Sequence, residues 1–182
     1  MNFENLEKNK NQEKITKIER LKTGSEQKAG LVLVLFGEKP GINLTIYTDT
    51  EEEIMEEEEK IKSLGLKFKK INQEEKGKRY NAKFIITKDE NVLDELSEIN
   101  SSKDHEKFGS LMGYPLSAIK AFTEGNCLSI EEERELLKQN PGIVFHNFRL
   151  SKDRNTEEIE ILKHWNNLLK REAPDLYDEL RQ

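Results

Sequence analysis

The side chains with usable chemistry in this sequence gather between His105 and Phe122, in the run His-Glu-Lys-Phe-Gly-Ser-Leu-Met-Gly-Tyr-Pro-Leu-Ser-Ala-Ile-Lys-Ala-Phe. His105 brings a titratable imidazole, and Tyr114 and Ser117 bring hydroxyls that both donate and accept. Phe108, Leu111 and Met112 lie on one face of a helix expected to begin near Lys103 or Asp104. Gly113 is a natural helix stop, Tyr114 is held extended by the proline after it, and Pro115 suits the first position of a new helix. The amides that follow Pro115, near Leu116 and Ser117, have no partner within that helix. With the Ser117 hydroxyl, the Tyr114 phenol and His105 beside them, they suit an anion or a carboxylate. The plainer reading is a well-made corner with His105 at a surface helix start.

Other constellations are thinner. His105, His146 and His164, with Cys127 as a soft fourth ligand, are raw material for zinc, but no two stand at i, i+4 spacing, and no metal or other cofactor is expected. His146, in Val-Phe-His-Asn-Phe, reads as a half-buried, hydrogen-bonded side chain rather than a base. Glu56 to Glu59 point around a helix axis instead of converging. Gly37-Glu38-Lys39-Pro40-Gly41 lacks the Gly-Lys-Ser/Thr of a phosphate loop.

Composition sets outer limits. A net charge of -6 argues against general nucleic-acid binding, which rewards a basic face. The one basic stretch, Lys67 to Arg79, reads as a wet sheet face protected by lysines, with a nucleic-acid contact as the weaker alternative. The single Cys127, the polar N-terminus and the lack of a long apolar run lead us to expect a cytoplasmic protein with no membrane association.

The elements that must position these residues follow from periodicity and caps. Residues 1–28 form a polar N-terminal arm with a thin Ile15, Ile18, Leu21 stripe, and a helix is expected from about Gln12 to Lys22. Ala29 to Phe36 is apolar on both faces and is expected as the central strand, turning through Gly37 to Gly41 into a second strand at Ile42, Leu44 and Ile46. Thr50 with Glu53 opens a helix that ends at Gly65. Leu66 to Ile71 and Ala82 to Thr87 form a second extended pair, and Thr87 with Glu90 caps a helix that ends in Asn100-Ser101-Ser102. Residues 29–100 therefore spell strand, strand, helix, strand, strand, helix: an α+β domain with a mostly antiparallel sheet.

Residues 101–182 read as a helical part packed on that sheet. Ser129 and Glu132 form a capping box for a helix stopped by Asn140-Pro141-Gly142. Ile143 to Leu150 is expected as a short added strand. Asn155 with Glu158 starts the last long helix, which Ala173-Pro174 breaks before a closing turn at Leu176 to Leu180.

The corner segment resembles a family of uncharacterised prokaryotic proteins whose signature is approximately His, two residues, Phe-Gly-Arg-Leu-Leu-Gly-Tyr-Pro, one residue, Cys-Cys, then a Phe. His105, Phe108, Gly109, Leu111, Gly113, Tyr114, Pro115 and Phe122 agree with it, whereas the arginine is Ser110 here and the cysteines fall on Ser117 and Ala118. The resemblance implies no reaction, and any thiol chemistry in relatives would be missing from this chain.

The function expected from the sequence is non-catalytic binding of a small ligand or protein partner at the corner, through His105, Phe108, Gly109, Gly113, Tyr114, Pro115 and Ser117. A hydrolase-type enzyme using His105 or His146 with carboxylates, with or without metal assistance, is the alternative.

Overall fold

In the computed structural model the described residues are 3–77, 79–99 and 104–182. They form an α+β fold: α1 (Phe3–Glu19), α2 (Ser25–Phe36), β1 (Gly41–Thr48), α3 (Glu51–Ser63), β2 (Lys67–Lys76), β3 (Arg79–Thr87) and α4 (Glu90–Ile99). Five further helices follow: α5 (His105–Leu111), α6 (Leu116–Glu124), α7 (Ile130–Lys138), α8 (Asn155–Glu172) and α9 (Pro174–Leu180). None of the described helices is long and apolar enough to cross a membrane.

The sheet is antiparallel in the order β1-β3-β2, with a register shift between Lys70 and Asn72. Ile42, Leu44 and Ile46 stand opposite Ile86, Phe84 and Ala82, and all six are buried. Alternation along the strands gathers them on one face. On the other face Leu96 of α4 reaches Gly41, so that face is covered at its Gly41 end, while Tyr47 and Lys83 further along it are exposed.

The run Ala29 to Phe36 corrects the sequence expectation. It is the buried length of helix α2 rather than a central strand, and Ala29 through Leu35 are all buried. A short apolar run is periodic with neither 2 nor 3.6, and the competition was decided by its flanks. Ser25 to Lys28 begin the helix after Gly24, and Gly37 closes it in the left-handed conformation, φ 82°. Gly37 is thus a helix stop, and no hairpin joins it to β1. Gly30 lets α2 lie directly on the sheet: a Cβ there would stand 2.3 Å from Ile42 Cδ1.

Ile143 to Leu150 is the second correction, since it pairs with no sheet. At Val144 and Phe145 its polar backbone is satisfied by one buried side chain instead. Asn166 of α8 accepts from Val144 N–H and Phe145 N–H, both at 2.9 Å, and donates to the Phe145 carbonyl at 2.9 Å. At the segment's end Leu128 N–H donates to the Leu150 carbonyl at 2.8 Å, beside an isolated Cys127–Ser151 bridge.

Two helix starts also differ. Asp89, not Thr87, caps α4 by accepting from Asn91 N–H, and the expected stop at Asn100-Ser101-Ser102 lies outside the described residues. At α8 the Ser151 hydroxyl accepts from Arg154 N–H, and Glu158 turns inward. At the N-terminus α1 is longer and earlier than expected, and Ile15, Ile18 and Leu21 are fully part of the core.

Candidate functional site

The corner forms because the chain has a stop and a restart in adjacent residues. Asp104 caps α5 by accepting from Lys107 N–H at 3.0 Å. Gly113, at φ 72°, and Tyr114 then return amides to the carbonyls of Ser110 and Gly109. Pro115 leads directly into α6. Gly109 permits the two short helices to touch, since a Cβ there would lie 2.8 Å from Ile119 Cγ1.

A cavity of about 240 Å³ opens between this corner and the segment Asn147 to Arg149. Four residues anticipated from sequence, His105, Phe108, Gly109 and Tyr114, line it; Gly113, Pro115 and Ser117 do not. The remaining wall comes from Ala118, Ile119 and Phe122 of α6 and from Asn147, Phe148 and Arg149. His105 meets Phe122 edge-on at 5.6 Å, and the Tyr114 ring lies 5.9 Å from Phe148, which in turn meets Trp165 edge-on at 5.9 Å. The walls are therefore aromatic, with few polar atoms among them.

Behind Tyr114 and Asn147 stands a residue that the sequence did not single out. Lys39, read there only as part of a turn, is 1% exposed. Its Nζ lies 4.7 Å from the centre of the Tyr114 ring and 4.6 Å from that of Trp165. Its polar neighbour is Asn147 Oδ1, at 3.5 Å, the outer limit of a hydrogen bond. Burial lowers the ammonium from its ordinary range to about 7, because the charged form has lost water and gained only ring faces and one amide oxygen. Burial raises the Tyr114 phenol, which stays protonated near neutrality. No local sequence signal marks such a lysine: the docking of the corner onto the turn after α2 buries it.

Ser117 is committed elsewhere. Its hydroxyl donates to Glu158 Oε1 at 2.6 Å, and Glu158 Oε2 accepts from Ser151 N–H at 2.7 Å. Glu158 is wholly buried, so the hydroxyl suited to an external carboxylate already holds one of the chain's own.

The histidines are dispersed. His105 is at the cavity, His146 lies 4.0 Å from Glu133 in a separate shallow depression, and His164 pairs with Glu38 at 2.9 Å. Among the described residues no three of His, Cys, Asp or Glu come together as metal ligands. Cys127 is free and half-buried, and burial raises its thiol. In the basic hairpin, Lys67 pairs with Glu90 and Lys70 with Glu58.

Comparison with protein-family models, curated proteins and solved structures finds no match to this chain.

Proposed function

We propose that this protein is a non-catalytic binder of a small ligand held in the cavity at the Gly-Tyr-Pro corner, acting in the cytoplasm, where a lone Cys127 needs no disulfide partner. The observation that carries this is the convergence of Phe108, Tyr114, Phe122 and Phe148 on one concavity with few polar groups. Concave, mostly apolar sites with a small number of placed polar atoms are the usual form of a small-molecule site. The volume of about 240 Å³ exceeds the roughly 150 Å³ that holds a benzene-sized guest in an engineered core.

The geometry favours binding over hydrolysis. Among the described residues of the cavity wall His105 has no carboxylate to orient its ring, and His146, which has Glu133, lies outside that wall. General acid–base work needs the proton carrier within hydrogen-bond reach of the substrate and held in place.

The test is a titration with benzyl alcohol followed by the methyl signals of Ala118 and Ile119, both in the wall. Saturable shifts are expected in the native protein, together with a loss of affinity of about tenfold in Ala118→Leu, which fills the space. Shifts that never saturate, or that are unchanged in the filled variant, would reject the cavity as a site.

A further inference from the structure

The charge pattern of the cavity departs from that of the chain. There are 36 acidic residues against 30 lysines and arginines, yet among the described residues no acidic side chain lines the cavity. Its polar members are His105, Asn147 and Arg149, with Lys39 directly behind. Arg149 is already compensated: its Nε donates to Glu133 at 2.7 Å and its Nη2 to the Leu128 carbonyl at 2.6 Å. Lys39 is not. Among the described residues no carboxylate lies within ion-pair distance of it, and it is all but removed from water. A buried ammonium without a counter-charge is unfavourable, and an anion arriving beside it would relieve that cost.

We propose that the ligand is a small aromatic or branched aliphatic carboxylate, its apolar body against Phe108, Phe122 and Phe148 and its carboxylate received by Lys39 beside Asn147. This rests on the ligand-binding reading of the cavity. One uncompensated cation matches one carboxylate charge, whereas a phosphate dianion would leave excess negative charge in an apolar site. Lys39 stands behind Asn147 and not in the cavity wall itself, so the carboxylate reaches the amine by taking over from the Asn147 contact, which at 3.5 Å is at the outer limit of a hydrogen bond.

Binding is then coupled to a proton. The ammonium form of Lys39 receives the carboxylate, so the bound state holds the proton to higher pH than the free state does. Affinity falls as pH rises above 7, and complex formation at pH 8.5 takes a proton from the buffer. The groups around Lys39 are Tyr114 from the corner, Trp165 from α8 and Asn147 from the segment before it, with the Glu38–His164 pair next in sequence and space. His105 and Arg149 face the same cavity, and protonation of His105 would act in the same direction, so a Lys39 variant is needed to separate the two.

The experiment is calorimetric titration of the full chain with benzoate and phenylacetate, and with benzyl alcohol as the neutral counterpart. It is run at pH 6.5 and 8.5 in buffers of different ionisation enthalpy. At pH 6.5 the acids are expected to bind about tenfold or more tightly than the alcohol, as a charge-assisted hydrogen bond allows. At pH 8.5 they bind more weakly, with net proton uptake, and in Lys39→Met they fall to the level of the alcohol. The Lys39 Nζ resonance of the native protein gives a second readout, since its titration midpoint rises with benzoate. Benzoate no tighter than benzyl alcohol, an unchanged affinity in Lys39→Met, or tighter binding of phenyl phosphate would each overturn the carboxylate assignment while leaving the cavity a binding site. Failure of all these probes, the neutral one included, would overturn both.

Discussion

Gly113 and Pro40 are packed so closely that a Cβ on Gly113 would stand 2.6 Å from Pro40 Cδ and 3.4 Å from the Cα of Lys39. This contact fixes the Gly-Tyr-Pro corner on the turn that follows α2, and with it the position of the Tyr114 ring over the Lys39 amine. The cavity and its buried cation therefore depend on one glycine.

Gly113→Ala is expected to lose about 2–4 kcal/mol in urea denaturation. A non-glycine residue at φ 72° costs on the order of 1 kcal/mol or more, and the clash with a proline ring adds to it. Signals of Tyr114 and Lys39 should shift together, while a variant at the open Gly125, where a Cβ meets nothing, should leave them in place.

Lys39→Met is expected to stabilise the protein at pH 7 and below. The folded state titrates near 7 and the unfolded lysine near its ordinary value of 10.5, so between these values the unfolded chain binds more protons. The penalty of burying the charge is fully present below pH 7 and is relieved as pH rises from 7 toward 10.5. It is on the order of several kcal/mol, at about 1.4 kcal/mol per pH unit. Stability measured from pH 6 to 9 should climb more steeply in the native protein than in the variant. Parallel curves would show that Lys39 titrates normally.

Asn166→Leu removes an amide that also donates to the Leu162 carbonyl at 2.8 Å. It leaves the part-buried Val144 N–H and the buried Phe145 backbone groups unpaired. A loss of about 3 kcal/mol or more is expected, since each orphaned buried group costs roughly 1–3 kcal/mol. Hydrogen exchange should accelerate from Val144 to Phe148 ahead of the sheet. Because Asn147 and Phe148 form one cavity wall, probe binding should weaken as well.

Ser117→Ala and Glu158→Gln form a double-mutant cycle on the buried carboxylate that joins α6 to α8. Each single change is expected to cost about 1–3 kcal/mol, and the pair to show a coupling of about 1 kcal/mol or more. Probe affinity at the cavity should stay within about twofold in Ser117→Ala, since its hydroxyl is turned toward Glu158; an effect as large as that of Ala118→Leu would place Ser117 in the site after all.

Much of the local structure was legible. Thr50 accepts from Glu53 N–H, and the Ser129–Glu132 capping box forms with both of its bonds, because caps are chemistry between near neighbours. The corner at Gly113 to Pro115 was legible for the same reason: a left-handed glycine and a proline restart are local constraints. Four of its residues could be placed together before any fold was known, since α5 and α6 are joined by only four residues and must touch.

What lay outside the sequence was the identity of partners distant along the chain. Ala29 to Phe36 is apolar all round and by itself satisfies a buried strand or a buried helix equally; the helix started at Ser25 and stopped at Gly37 sets its form, and packing between β1 and the helices α1, α8 and α9 buries it on every side. Ile143 to Leu150 looked like a strand because its backbone partner is the side chain of Asn166, about twenty residues away. Lys39 is the clearest case. By sequence it is one polar residue in a turn, and a lysine there is ordinarily solvated. Tertiary packing brings Tyr114 and Trp165 over it from two different helical units and removes its water. The sequence by itself determined the α+β class and a corner able to make a concave surface. The tertiary structure decided that an uncompensated cation stands behind that surface, because desolvation is a property of everything packed around a group and not of its neighbours in the chain.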